Sequence, residues 1–186
     1  MTEELLIRIA KGEQPAFDQL FRDTNATLLA YATSLMAGDR SGAEDVVDEA
    51  FIAIWRGAAG YAGSGSAMGW IRRIVRNKAV DELRRIRERP VFDGSYDVAA
   101  ANLEDTEPKP DQASETKSVS RLLKAALALL NVDQREAIWL CYYEEKSVAE
   151  IAEIIGCPVN TVKTRLFYAR KALAQSGLLC ASTLVN

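Results

Sequence analysis

The polar and basic side chains between residues 160 and 171 are of the types that bind DNA. They lie in the stretch "VNTVKTRLFYARK", and residues 157–175 carry four basic and no acidic side chains. Asn can pair with adenine, Thr can contact the thymine methyl group, and Lys or Arg can bind guanine or phosphate. A polar helix face is often only solvated. Here, however, the polar residues follow a tight Gly-Cys-Pro turn, and their place at the start of a helix favours base contacts in a major groove.

The residues before this stretch predict a helix that supports it. Ser147 and Glu150 have the spacing of a capping box, so a helix should begin at Ser147. Gly156 suits the left-handed position after that helix, and Pro158 suits the first turn of the next one. The next helix should bury one face and expose another, and the residues of its buried face are Val159, Val162, Leu166, Ala169 and Leu173. Together these features predict a helix-turn-helix.

A second basic segment lies earlier in the chain. Residues 58–89 contain 8 basic and 3 acidic side chains, and 68–89 has the pattern of one long helix after a Gly/Ser loop at 62–69. A basic helix beside a flexible loop and the aromatic Tyr61 and Trp70 suits single-stranded nucleic acid. Two plainer interpretations remain: the arginines form a solvated face, and Trp70 belongs to the core.

A third segment, 41–56, indicates a helix with two apolar strips. Ser41 and Glu44 could form a capping box at its start. Ile52 and Trp55 lie outside the main apolar stripe and among acidic residues. The helix is therefore either buried on both sides of a small bundle or in contact with a partner.

The composition limits the classes of function. The chain has 186 residues, of which 48% are hydrophobic, and a formal net charge of −3. It has no histidine and three separated cysteines, so neither a metal site nor a cofactor is expected, and no enzymatic constellation appears. Cys141 should fill a core, and the turn packing alone explains Cys157 without a redox switch. No signal peptide and no membrane-spanning run is visible, which favours the cytoplasm.

Helical periodicity recurs along the chain without a convincing strand, so we expect an all-α protein with two small domains. The first domain should span residues 1–90 and the second residues 118–176, with a tail at 177–186. Residues 91–117 should form a flexible linker, since residues 90–116 have three prolines and 7 acidic against 1 basic side chain.

Both predicted domains resemble parts of one family. The segments "GAEDVVDEAFIAIWR" and "WIRRIVRNKAVDELRR" resemble the second-region domain of extracytoplasmic-function (ECF) sigma factors, group IV of the sigma-70 superfamily. The segment "LLNVDQREAIWLCYYEEKSVAEIAEIIGCPVNTVKTRLFYARKAL" resembles their fourth-region domain. The resemblance covers roughly 10–89 and 118–175, in the order of the family and with its linker between them.

The resemblance implies three sets of contact residues. The minus-thirty-five promoter element would be contacted by Asn160, Thr161, Lys163, Thr164, Arg165, Phe167, Arg170 and Lys171. The minus-ten element would be contacted by Trp70, Arg72, Arg73, Arg76, Asn77 and Arg84, with Asn77 near a flipped base and the 62–69 loop forming its pocket. The β′ clamp helices of core RNA polymerase would be contacted by Asp45, Asp48, Glu49, Ile52, Trp55 and Arg56.

The function that the resemblance implies is transcription initiation, without catalysis by this chain. The protein would bind core RNA polymerase through the β′ clamp helices and the β flap, bring it to promoter DNA and promote melting. The family also implies a cognate anti-sigma factor and a role in stress response. The alternative is a stand-alone helix-turn-helix regulator that binds operator DNA as a dimer.

Overall fold

The computed structural model describes residues 2–61, 63, 66–88 and 113–175. Within these ranges the protein is helical and has no β-strand, which confirms the all-α prediction. The helices are α1 (Thr2–Ala10), α2 (Gln14–Leu35), α3 (Arg40–Gly57), α4 (Ala67–Glu88), α5 (Ala113–Ala128), α6 (Val132–Ile138), α7 (Val148–Ile155) and α8 (Val159–Gln175). A 3₁₀ turn at Ala58–Gly60 follows α3, and a π-helical turn at Trp139–Tyr143 follows α6. Most of the predicted linker and the predicted tail lie outside the described residues.

Helices α1 to α4 pack as an N-terminal domain around one apolar core. Its fully buried side chains come from all four helices and include Leu6, Leu20, Leu28, Leu35, Ile54, Ile71 and Val75. Helix α1 was not anticipated as a separate element. It buries Leu5, Leu6 and Ile9, and its end is tied to the start of α2 by the 2.8 Å ion pair of Arg8 with Glu13.

The start of α3 differs from the prediction. The N-cap is Asp39, whose side chain accepts a hydrogen bond from the backbone N–H of Gly42 at 3.1 Å. The predicted capping box of Ser41 and Glu44 does not form, since Ser41 is already inside the helix and Glu44 pairs with Arg40 one turn earlier. An aspartate two residues upstream provides the stronger N-cap, because its carboxylate also favours the positive end of the helix dipole.

Helix α4 also begins earlier than predicted. The hydroxyl of Ser66 accepts from the backbone N–H of Gly69 at 3.3 Å, so Ala67 to Gly69 are the first turn of α4. The predicted loop over 62–69 is thus shorter, and its residues 62, 64 and 65 lie outside the described residues. The predicted buried face is confirmed: Ile71 and Val75 are buried, and Ile74 and Leu83 pack partly against the core.

Helices α5 to α8 form the C-terminal domain. Helix α5 begins at Ala113, within the predicted linker, because the segment "ASETK" continues the helix without a breaker. One small core joins the π-helical turn after α6 to α7 and α8 through Leu140, Ile151, Val162 and Leu166. Another joins α5 to the end of α8 through Ala126, Leu130, Ala169 and Leu173. Cys141 is half-buried against the first of these cores, as expected of a small apolar side chain.

The C-terminal domain is docked on the N-terminal domain. Val132 and Trp139 pack partly buried against the core of the first domain, and the Trp139 ring lies 6.2 Å from that of Tyr31. Close approach at Gly38 adds to this contact, because a Cβ there would lie 2.5 Å from Cγ of Lys124. A side chain at position 38 would therefore require the Lys124 side chain to shift, and it would also be strained by the φ of 85°. No helix in the described part of the chain has both the length and the apolar character needed to cross a membrane.

Candidate nucleic-acid and polymerase interfaces

The helix-turn-helix predicted from the sequence is present. Ser147 Oγ accepts from the backbone N–H of Glu150 at 3.3 Å, and the Glu150 carboxylate accepts from that of Ser147 at 2.8 Å. Hydrogen bonding to Ser147 lowers the pKa of Glu150. Gly156 ends α7 with φ of 75°, as predicted. Pro158 lies one position earlier than predicted, at the N-cap of α8, where its carbonyl accepts from the N–H of Val162 at 3.3 Å.

Helix α8 presents the predicted polar face to solvent. Its buried residues are Val162, Leu166, Ala169 and Leu173, whereas Val159 is 40% exposed, contrary to the prediction. Val159 is the first residue of the helix and lies beyond the edge of the core. The exposed residues include Asn160, Lys163, Thr164, Phe167, Tyr168 and Lys171. Phe167 and Tyr168 are 61% and 53% exposed, so two aromatic rings lie on the surface next to the polar side chains.

Two basic residues of α8 are engaged within the domain. Nη2 of Arg165 donates to Oδ2 of Asp133 at 2.9 Å, and the side chain is only 20% exposed. Nε of Arg170 donates to the Tyr142 hydroxyl at 2.9 Å, and its guanidinium carbon lies 5.6 Å from the centre of that ring. Lys163 and Lys171 are the exposed cations of this face. Arg165 would have to leave Asp133 before it could contact DNA.

Helix α4 divides its predicted minus-ten residues between two environments. Arg73, Asn77 and Arg84 are exposed, and Arg73 and Asn77 lie one turn apart on the same face. Trp70 is half-buried, with its ring 5.7 Å from Tyr61 and packed on the N-terminal core. The plainer interpretation of Trp70 as a core residue therefore agrees with its packing.

The other two arginines predicted to contact the minus-ten element point at the C-terminal domain. Nη2 of Arg72 lies 2.6 and 2.5 Å from the two carboxylate oxygens of Glu144. Nε of Arg76 donates to Oε2 of Glu136 at 2.8 Å, and its Nη2 donates to Oδ1 of Asp133. These ion pairs are at most about one-third exposed, so they are screened less than surface pairs.

Glu136 is the most deeply buried charged group of this contact, with 5% of its side chain exposed. Besides Arg76, it accepts from the hydroxyl of Tyr31 at 2.8 Å. Burial, and then the charge of Glu136, raises the pKa of Tyr31 well above its ordinary value. Burial alone would lower the pKa of Arg76, but Glu136 and Asp133 together raise it. Each charge of the group thus has a partner of the opposite sign, as buried ions require.

Arg135 is a further contact residue that the sequence did not indicate. Its Nη1 donates to the carbonyl of Leu35, the last residue of α2, at 2.5 Å, and its Nε donates to the carbonyl of Leu127 at 2.8 Å. The guanidinium therefore satisfies a carbonyl at the negative end of α2. Burial lowers the pKa of Arg135. Nothing in the local pattern of α6 signals this role, since the partners lie in α2 and α5.

The second apolar strip of α3, formed by Ile52 and Trp55 and called the outer strip here, is exposed, which agrees with the second of the two interpretations. Ile52 is 52% exposed and Trp55 is 37% exposed, and Trp55 packs edge-on against Phe17 at 5.3 Å between ring centres. Asp45, Asp48, Glu49 and Arg56 are exposed around them, and Glu49 pairs with Lys78 at 3.0 Å. An apolar strip ringed by charges on one helix is the usual composition of a protein-binding surface. The interpretation that α3 is buried on both sides is wrong.

Family models match the two domains separately. Residues 20–89 match the model for Sigma-70 region 2, and residues 120–173 match the model for Sigma-70, region 4. The first match covers α4 and the outer strip of α3, and the second covers the helix-turn-helix. The fold and these surfaces thus define a two-domain protein of the sigma-70 class.

Similarity to curated proteins extends along nearly the whole chain. The chain is 33% identical to "ECF RNA polymerase sigma factor SigM" of Mycobacterium tuberculosis, across 92% of this chain and 82% of that protein. It is 31% identical to the "ECF RNA polymerase sigma-E factor" of Escherichia coli, across 93% of both. The chain belongs to the ECF sigma factor family.

Solved structures share the fold. One is the structure of CnrH in complex with the cytosolic domain of CnrY, with a TM-score of 0.66 and 24% identity over 94% of this chain and 95% of that one. Another is the sigma factor RpoE in complex with the anti-sigma factor NepR from Bartonella quintana, with a TM-score of 0.60 and 27% identity over 86% of this chain and 94% of that one.

Proposed function

We propose that this protein is an alternative sigma factor that binds core RNA polymerase, directs it to specific promoters and promotes melting of the DNA. The observation that carries the proposal is that one chain has both a candidate DNA-binding surface and a candidate protein-binding surface. A helix-turn-helix exposes Asn160, Lys163 and Thr164, and a separate domain exposes an apolar strip at Ile52 and Trp55 beside a basic helix. A protein-binding surface and a DNA-reading surface on the same chain fit a factor that brings an enzyme to DNA.

The two DNA contacts have different chemistry. Helix α8 reads duplex DNA at the minus-thirty-five element, where Lys163 and Asn160 reach base edges and phosphates. Helix α4 holds an unpaired strand at the minus-ten element, with Arg73 on phosphate and Asn77 offering both a donor and an acceptor to a flipped base. Melting then follows from greater affinity for the open strand than for the duplex.

The protein makes and breaks no bonds itself, because polymerase carries out the chemistry. Helix α3 binds the β′ clamp helices, and the C-terminal domain reaches the β flap. The linker lets two modest DNA contacts act together, since the second contact becomes intramolecular once the first has formed. We further infer a cytoplasmic location and a cognate anti-sigma factor. Two related folds were solved as complexes, one of them with a named anti-sigma factor.

The rival function, a stand-alone dimeric operator-binding regulator, is not favoured. Such a regulator needs the helix-turn-helix and a dimer surface, but it has no use for the region 2 domain matched over residues 20–89. The polar face of α8 alone would not separate the two functions.

The test is transcription from genomic DNA by core polymerase with and without the purified protein, followed by mapping of the start sites. We expect discrete starts that depend on the protein, with a shared pair of upstream sequence elements. Size-exclusion chromatography should show a monomer that joins core polymerase. A dimer that footprints an operator without polymerase and leaves transcription unchanged would instead establish the rival function.

A further inference from the structure

We propose that three acidic residues of the C-terminal domain act as an internal substitute for DNA phosphates and occupy two arginines of the candidate minus-ten surface. These residues, Asp133, Glu136 and Glu144, are called the acidic latch below. In the docked arrangement the latch binds Arg72 and Arg76 of α4, so the protein is autoinhibited until the domains separate. The inference rests on the proposed function, because Arg72 and Arg76 are DNA contacts only if the protein is a sigma factor.

The first part of the latch binds Arg72. Nη2 of Arg72 lies within 2.6 Å of both oxygens of Glu144, and the two side chains are 13% and 11% exposed. Glu144 is held in place from the other side by the indole N–H of Trp139, which donates to it at 3.2 Å. A DNA phosphate would therefore have to displace the Glu144 carboxylate before it could accept a hydrogen bond from Nη2 of Arg72.

The second part of the latch binds Arg76 and also reaches the helix-turn-helix. Oδ1 of Asp133 accepts from Arg76 of α4, while Oδ2 accepts from Arg165 of α8 at 2.9 Å. One carboxylate thus holds an arginine from each helix assigned to DNA. Asp133 therefore couples the state of Arg165 to that of Arg76, because the two arginines share the charge of one carboxylate.

Carboxylates can serve in this way because they offer guanidinium groups the same kind of partner as phosphates do. Both are anionic oxygen acceptors, and arginine can bind either with two hydrogen bonds. The docked face has only a few apolar contacts besides these ions, chiefly Val132 and Trp139 against the first domain. A charged interface can open in water, since its separated ions recover hydration, and domain interfaces of this polar kind are commonly mobile.

The test compares full-length proteins in which the latch is weakened from either side. The double variant Asp133→Asn with Glu144→Gln keeps the side-chain shapes and removes two charges. The matched control, Glu145→Gln with Glu153→Gln, removes two charges from exposed positions of the same domain. Tyr31→Phe loosens the latch from the N-terminal side without any change of charge, because it removes the hydroxyl that donates to Glu136.

Two measurements decide the matter. Small-angle scattering should give a compact wild type and control, and a larger radius of gyration for the double variant. Fluorescence anisotropy with a labelled oligodeoxythymidine strand should then show roughly three- to tenfold tighter binding by the double variant than by the control, as the binding-competent fraction rises. Tyr31→Phe should shift both readouts in the same direction by a smaller amount. Circular dichroism verifies that the helices are intact.

The latch is refuted if the wild type is already as extended as the double variant. It is also refuted if the double variant opens yet binds the strand no better than the control. Transcription with core polymerase tests the proposed function separately. A protein that opens and binds the strand as expected but starts no transcription would support the latch and count against the sigma-factor function.

Discussion

Replacement of Asp48 and Ile52 by arginine gives the sharpest test of the polymerase surface on α3. Both side chains are exposed, with Ile52 at 52%, so the folded domain should tolerate the change. Full burial of an isoleucine stabilises by about 1.5–3 kcal/mol. Because Ile52 is only about half buried, its replacement removes about half of that stabilisation. The arginine stem recovers part of the apolar contact. We expect a loss of no more than about 1 kcal/mol in the free energy of unfolding.

The effect on polymerase binding should be larger than the effect on folding. A hot-spot residue of an interface contributes about 2 kcal/mol or more, which corresponds to roughly a 30-fold change in the dissociation constant. Reversal of the charge at Asp48 adds repulsion if the facing surface is basic. The assay is competition of unlabelled variant against labelled wild type for core polymerase, with urea unfolding measured on the same samples.

Helix α1 offers a matched control with the same geometry. Glu3 and Ile7 are also an exposed carboxylate and an isoleucine four residues later, and Ile7 is likewise 52% exposed. The variant Glu3→Arg with Ile7→Arg should therefore change the charge and exposed apolar area equally but leave core binding intact. Equal competition by the α3 variant and wild type, or equal loss in both variants, would refute the assignment of α3.

Four further outcomes can be tested. Lys163→Ala should weaken binding to the upstream element by roughly 1–3 kcal/mol if the lysine reaches a base, and should lower the salt dependence if it reaches phosphate; unchanged affinity and salt slope in promoter-fragment binding would remove it from the interface. Asn77→Ala should impair opening of duplex promoters more than of templates mismatched at the minus-ten element, as read by permanganate footprinting, and equal loss on both would exclude a base pocket. Gly156→Ala should destabilise the C-terminal domain by about 1 kcal/mol, because its φ of 75° is strained for alanine; an unchanged thermal midpoint would contradict this. Glu150→Gln should lower the stability at neutral pH, and the difference from wild type should shrink as the pH falls. The lowered pKa of Glu150 gives stability that is present above the unfolded-state pKa and is lost as the pH falls through the folded-state pKa. A pH-independent difference in urea midpoint would refute this.

Local signals account for the parts of the structure that the sequence predicted correctly. The capping box at Ser147, the left-handed Gly156 and the apolar face of α8 each depend on residues within a few positions of one another. The wrong prediction of a capping box at Ser41 also has a local cause. Asp39 and Ser41 are both residue types that cap helices, and Asp39 is the one that begins α3. Such patterns indicate that a helix exists more reliably than they indicate where it begins.

The contacts between the domains could not be predicted in the same way. Tyr31 and Glu136 are 105 residues apart, and no periodicity relates them. In α6, Arg135 and Glu136 are buried among polar neighbours, whereas a sequence-based interpretation would place both in solvent. The arginines of α4 illustrate the same limit. Their chemistry pointed to DNA, but only the three-dimensional arrangement distinguishes the exposed Arg73 from Arg72 and Arg76, which are paired with carboxylates.

The shared use of Arg76 has a consequence for genetics. The same guanidinium would hold DNA in one state and Asp133 and Glu136 in another, so a substitution there changes both states together. Arg76→Ala should weaken the active complex and also relieve the closed form, and the two effects oppose each other in the phenotype. Its measured effect should therefore depend on the genetic background, being mild in the wild type and severe when Asp133 is already neutral. Such non-additivity between the two substitutions would indicate that Arg76 binds DNA in one state and the acidic latch in the other.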